Sequence, residues 1–158
     1  MPQVFRVRES VDRFATVVTD DDSLFLEFDG RDKEGWIPPE LIQFNQRETR
    51  ANFMYLAAGA LCFDGVALQA MGDILEMAGQ ILPVRLQRED VYILNVTEVC
   101  PALDPDASEW RVSTRTGARV SVAKPSFRWD MFSVSTLFKV AETCRAEIYS
   151  LAGVTDEE

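Results

Sequence analysis

Histidine is absent from all 158 residues. That removes the commonest general acid or base near neutral pH and the commonest metal ligand. It also excludes Ser-His and Cys-His nucleophilic dyads within one chain. Cysteine is scarce: Cys62, Cys100 and Cys144 are odd in number and far apart, which encodes neither a disulfide framework nor a zinc site and points to free thiols in a reducing compartment. Gly30, Gly35, Gly59, Gly65, Gly72 and Gly79 never take the spacing of a phosphate-cradling loop. No apolar run is long enough to span a bilayer, and no cationic segment followed by an apolar one opens the chain. The expectation is a cytoplasmic protein with no metal, cofactor or catalytic residue, only carboxylate or lysine chemistry being left to an enzyme.

Basic residues are the minority, 16 against 26 acids, for a net charge of −10. Such a balance disfavours nucleic acid and anionic membrane as partners and permits a basic protein. A chain of this length has the size of one ordinary domain and buries enough surface to fold without staples; residues 1–158 are read as that single domain.

The segment Gly79 to Val99, GQILPVRLQREDVYILNVTEV, organises the rest. Ile81 to Leu86 and Val91 to Val99 are rich in β-branched and aromatic residues and read as antiparallel strands joined through Gln87 to Asp90. In the second run Tyr92, Leu94 and Val96 point one way and Val91, Ile93 and Asn95 the other, so both faces are covered and the strand lies near the middle of a sheet. Pro83 lacks an amide hydrogen, which places the start of the first run at an edge or a bulge. Before this unit, Ala60 to Phe63 reads as a buried strand. Asp64 then offers an N-cap to a helix whose Leu68, Met71, Leu75 and Ala78 form a stripe joined by Ile74. Gly79 stands where a left-handed residue ends a helix.

Elsewhere Val4 to Val7 reads as a short strand, Ser10 to Val18 as helix or strand, and Leu24 to Phe28 as a strand. Pro38-Pro39 imposes an extended stretch. Glu40 to Tyr55 reads as a loop or short helix docking through Phe53, Met54 and Tyr55. Trp110 to Ser113 and Val120 to Ala123 read as two strands around Thr116-Gly117. Leu137 to Val140 is a strand or a helix start, and Ile148 to Leu151 is apolar. The fold class is α+β, with a mixed, mostly antiparallel sheet and few helices.

Several segments resemble the immunity proteins of bacterial polymorphic toxin systems of the eleventh catalogued type, from about Ala60 onward: ALCFDG, VALQAMGDILEMAG, QILPVRL, VYILNVTEVCPALDPDASEW and LFKVAETCRAEIYSLAGVTDEE. Tyr92 and Asn95 match positions of that pattern; from the residues alone they read as a core ring and a strand or turn hydrogen bond. The family continues past an acidic turn like Asp156 to Glu158 into another helix, so the resemblance implies a helix beyond the last residue.

Asp20 to Glu34 holds Asp20, Asp21, Asp22, Glu27, Asp29, Asp32 and Glu34 against Arg31 and Lys33, a local charge of −5. The run of three acids lacks the ligand spacing of a calcium loop. A dense negative surface suits the basic groove of a nuclease toxin and would speed encounter, although any one of these acids reads more readily as a solvated loop residue. Trp36, Trp110 and Trp129 are candidate interface anchors, with Trp36 preferred as the exposed one beside the acids. Cys100 reads as a buried small side chain, and Asp104 and Asp106 around Pro105 as turn chemistry. The expected function is therefore a non-enzymatic inhibitor of a cognate toxin, with Asp20, Asp21, Asp22, Asp29, Asp32, Glu34 and Trp36 on the partner face. The alternatives are an adaptor or subunit of a larger bacterial or phage assembly, which a stable homo-oligomer would favour, and an enzyme built on a deep pocket of convergent ionisable groups.

Overall fold

The structure, a computed structural model, describes residues 3–7, 16–19, 28–44, 49–57, 59–128, 137–143 and 147–152. The readings at Asp20 to Glu27, Trp129, Cys144 and Asp156 to Glu158 lie outside these.

The β-branched runs form the expected hairpin, β6 (Gly79–Leu86) and β7 (Glu89–Val96), in register from Gly79↔Val96 to Leu86↔Glu89. Its turn is tighter than the polar connection suggests. Gln87 and Arg88 alone reverse the chain, both at positive φ (48° and 79°), the left-handed pair that matches strand twist in a two-residue turn. Around the hairpin stand β2 (Val17–Val18), β3 (Glu40–Gln43), β4 (Phe53–Ala57) and β5 (Ala60–Phe63), giving a six-stranded sheet ordered β2-β3-β6-β7-β5-β4. All its pairs are antiparallel except β3 with β6. A bridge from Thr16 to Tyr55 joins the two ends, so the sheet curls on itself. Glu40 to Tyr55 thus contains two strands, not the loop or short helix that its broken polarity suggests. Leu41, Met54 and Leu56 supply the inward-facing positions that decide the matter.

The first core cluster fills the inside of this curl. All six strands contribute, through Val17, Leu41, Met54, Leu56, Ala60, Cys62, Leu82, Val84, Leu86, Val91 and Ile93. On the outside of β5 and β7, Leu61, Phe63, Leu94 and Val96 pack under Ala67, Leu75 and Ala78 of helix α1 (Gly65–Ala78). The two faces of β7 therefore serve two cores, as its double-sided apolar pattern implies.

Asp64 caps α1 through its Oδ1, which accepts from the Ala67 amide at 2.9 Å. Asp64→Ala is expected to lower stability by about 1 kcal/mol, read from the midpoint of urea unfolding. Ile74 does not join the inner stripe; it is part-exposed on the helix flank. Gly79 is not left-handed either: at φ 169° it is extended and is the first residue of β6, so helix passes into strand with no intervening turn.

A three-stranded sheet, β1 (Gln3–Arg6), β11 (Tyr149–Ala152) and β10 (Leu137–Phe138), and a ribbon, β8 (Glu109–Val112) with β9 (Arg119–Lys124), complete the fold. They meet over a third cluster of Cys100, Ala102, Leu103, Val122, Phe138, Val140 and Tyr149. Burial lifts the Tyr149 phenol above its ordinary value, against a hydrogen bond with Thr143 that pulls the other way. The folded state thus favours the neutral phenol. Its contribution is whole below the unfolded value near about 10 and is lost as pH climbs through the folded value. Tyr149→Phe is expected to flatten the decline in stability above that pH, measured as urea midpoints across the alkaline range.

No helix among the described residues is long and apolar enough to cross a membrane.

Candidate functional site

Strand β7 sends Val91 and Ile93 into the curl, and Asn95 follows on the same face. The inner row therefore ends in a fully buried amide instead of a third apolar side chain. The chain from Phe28 to Pro39 crosses at this point. The Asn95 Nδ2 donates to the Arg31 carbonyl at 2.7 Å and to Gln80 Oε1 at 2.9 Å. Gln80, opposite Asn95 in the β6–β7 register, accepts the Lys33 amide on the same Oε1 at 2.7 Å, and its Nε2 donates to the Lys33 carbonyl at 3.3 Å. Two side chains of the hairpin thus satisfy the backbone of the crossing segment, much as a neighbouring strand would. Among the described residues Asn95 Oδ1 is buried without a hydrogen-bond partner, a penalty of about 1–3 kcal/mol that accompanies this placement of Nδ2.

Further contacts fix the same segment. Trp36 Nε1 donates to the Pro83 carbonyl at 2.8 Å, and the Trp36 and Phe28 rings pack with centroids 6.5 Å apart. The Pro39 carbonyl accepts the Arg85 amide at 3.2 Å. Gly30 has φ +91°, and a Cβ there would lie 2.6 Å from the Val99 Cγ2, so both conformation and space require glycine. Pro83 sits in β6 where the β3 ladder does not reach, since β3 pairs only at Arg85 and Leu86. On that free side the proline gives its carbonyl to Trp36, in line with the edge position expected of it.

With the Arg31 and Lys33 backbones turned inward, Asp32 and Glu34 are presented outward and exposed. Asp29 turns back to accept the Arg31 amide at 3.3 Å and pairs with its guanidinium at 3.9 Å. Lys33 places its ammonium 5.3 Å from the centre of the Phe28 ring. Trp36 is half-buried and committed to the core, whereas Ile37 beside it is 83% exposed. Of the seven acids expected on one patch, the structure brings together Asp29, Asp32 and Glu34. With Arg31 and Lys33 the described part carries −1, and Asp20, Asp21, Asp22 and Glu27 lie outside the described residues.

Sequence reasoning missed Gln80 and Ile37. Gln80 differs in no way from a surface glutamine until its strand partner is known; Ile37, between Trp36 and Pro38, was readable as an apolar residue with no periodic context. Trp110 donates Nε1 to the Pro105 carbonyl at 2.8 Å and belongs to the third cluster. Cys62 and Cys100 are buried. Asp104 makes the expected turn, its Oδ1 accepting the Asp106 and Ala107 amides at 3.0 and 3.1 Å. Among the described residues no group of three or more cysteine, aspartate or glutamate side chains is placed to hold a metal ion. A depression beside α1 brings one ionisable side chain, Asp73, into its lining.

Neither a scan against models of known protein families nor a search of curated proteins finds a match. The functional reading rests on these residues and on the motif order of the sequence.

Proposed function

We propose that this chain is an immunity protein of the cytoplasm, a non-enzymatic inhibitor that binds a bacterial toxin and covers its active site or substrate groove. The observation that carries this reading is the segment 28–39, held by Asn95, Gln80 and Pro83 so that Asp32, Glu34 and Ile37 face outward. A surface already ordered before binding loses less conformational entropy on association. Acids around one exposed apolar side chain suit a basic groove with an apolar floor, as in a nuclease, and charge of this kind governs encounter rate and partner choice more than raw affinity. The likeness of the chain from Ala60 onward to immunity proteins supports the same reading, and the buried thiols suit a reducing compartment.

The test is to mix the protein with the toxin domain encoded beside its gene. A complex at micromolar concentration is expected, weakening as salt rises. Asp32→Lys with Glu34→Lys should raise Kd at least tenfold, about 1.4 kcal/mol. Asn95→Ala should also weaken binding, through loss of the seat under Arg31 and Lys33. Absence of any complex at micromolar concentration would refute the proposal.

A further inference from the structure

Positive charge is concentrated in one place. Residues 109–124 hold Arg111, Arg115, Arg119 and Lys124 against Glu109 alone, a local +3 in a chain of −10, so that all other residues together carry −13. This is the β8–β9 ribbon, whose strands pair only with each other among the described residues. Its base is anchored: Trp110 and Val122, paired across the ribbon, belong to the third cluster, and the Arg119 guanidinium lies 4.7 Å from the Trp110 ring centre. Outward from that anchor, Arg111 and Arg115 are exposed, and so are Val112 (55%) and Val120 (69%). Ordered apolar side chains set among arginines on a projecting ribbon resemble half of an interface.

Helix α1 carries the complementary half. Its inner side is spent on Ala67, Leu75 and Ala78. On its outer side Val66 (62% exposed) and Met77 (60%) stand eleven positions apart and hence within about 20° of one another around the axis. Ala70 and Ile74 lie beside them, and Asp73 and Glu76 flank the stripe. Residues 64–78 contain Asp64, Asp73 and Glu76 and no lysine or arginine, a charge of −3. The last turn has no basic residue, so the helix itself does not offset its negative pole. Val66 to Met77 spans about 16 Å at 1.5 Å per residue, and Arg119 to Lys124 spans about 16 Å at 3.3 Å per residue, so ribbon and stripe match in length.

We propose that the β8–β9 ribbon of one copy of this chain docks on the outer face of α1 of a second copy. Arg115 at the ribbon tip, and Arg111 reaching around the β8 edge from the opposite face, then meet Asp73 and Glu76, while Val112 and Val120 cover Val66 and Met77. Net charge opposes the approach of two copies, but screening over about 8 Å at physiological salt leaves the charges at the contact in control. Made reciprocally, the contact closes a two-fold dimer. It uses none of segment 28–39, so a dimer leaves the proposed toxin face open, and if the dimer forms, self-association no longer separates an inhibitor from an adaptor.

Light scattering on size-exclusion fractions, from micromolar to near-millimolar protein, reads the association. Arg111→Glu with Arg115→Glu, and separately Asp73→Lys with Glu76→Lys, should each raise the self-dissociation constant at least tenfold while leaving the circular dichroism spectrum unchanged, since all four side chains are exposed. An equimolar mixture of the two variants should associate again, because each supplies the charge the other now needs. A wild-type monomer throughout the range, an oligomer indifferent to both pairs of changes, or a mixture that stays monomeric would overturn the proposal. So would a wild-type monomer that binds a short DNA duplex through the ribbon arginines.

Discussion

Lys139→Met should lower stability by about 3 kcal/mol, seen as a fall in Tm of about 10 °C. Lys139 has no solvent exposure, and its ammonium donates to the Phe28 and Gly59 carbonyls, each at 2.8 Å. Its backbone is held as firmly: the amide donates to the Glu98 carbonyl, and its carbonyl accepts the Cys100 amide, both at 2.8 Å. One residue thereby ties the chain just after β10 to the segment that follows β7, to the β4–β5 turn and to the first residue of the candidate docking segment. Replacing a buried charged group with an apolar one is sometimes neutral, when all its partners are replaced with it. Here methionine preserves the volume of the stem and leaves two backbone carbonyls buried without their donor, so the desolvation penalty dominates. The effect should reach binding too, because Phe28 loses its tether. A variant as stable as wild type in thermal and urea unfolding would contradict this account.

The second large effect is expected at Gly79→Ala. A Cβ at this position would lie 1.9 Å from the Asn95 carbonyl oxygen and 2.8 Å from the Thr97 amide nitrogen. The backbone is extended, so alanine adopts it freely; what is missing is space. Both obstacles are main-chain atoms, so no rotamer change relieves them. The strand pair must open at Gly79↔Val96 or the helix end must shift, and the helix end is itself held by the Thr97 and Glu98 amides, which both donate to the Ala78 carbonyl. Overpacking of this kind costs about 3 kcal/mol. Because Asn95 is the residue displaced, the proposed toxin binding should weaken along with stability. Urea unfolding with an unchanged slope and a lowered midpoint is the expected signature. A midpoint within error of wild type would show that the junction yields more easily than its geometry implies.

These two positions show where the sequence is readable and where it is not. Runs with their own periodicity announce themselves: the β6–β7 hairpin, the strand Ala60–Phe63, the Asp64 cap and the ribbon around Thr116-Gly117 all follow from local pattern and turn chemistry. Glu40 to Tyr55 does not, because β3 gains its ladder from a strand distant in the chain, and among the described residues of this stretch the first core cluster takes Leu41 and Met54. Gly79 stands where a helix ends, yet its role is space and not a left-handed turn, since a close approach of two backbones leaves no trace in local sequence. Lys139 gave one faint signal, a lone cation inside the apolar run Leu137 to Val140. Trp36 beside the acids and the Pro38-Pro39 bend suggests an exposed anchor, yet Phe28 and Pro83 claim its ring and its nitrogen. The exposed apolar side chain is its neighbour Ile37. The seat of the segment, Asn95 with Gln80, becomes visible only once the strand register sets the two amides opposite each other.

The claim on which the functional account turns is that residues 28–39 meet the toxin. Amide hydrogen exchange of the free protein and of its toxin complex locates the contact directly. The account predicts added protection at Asp32, Glu34 and Ile37 on binding. A stable complex whose protection falls elsewhere and leaves these amides unchanged would contradict it.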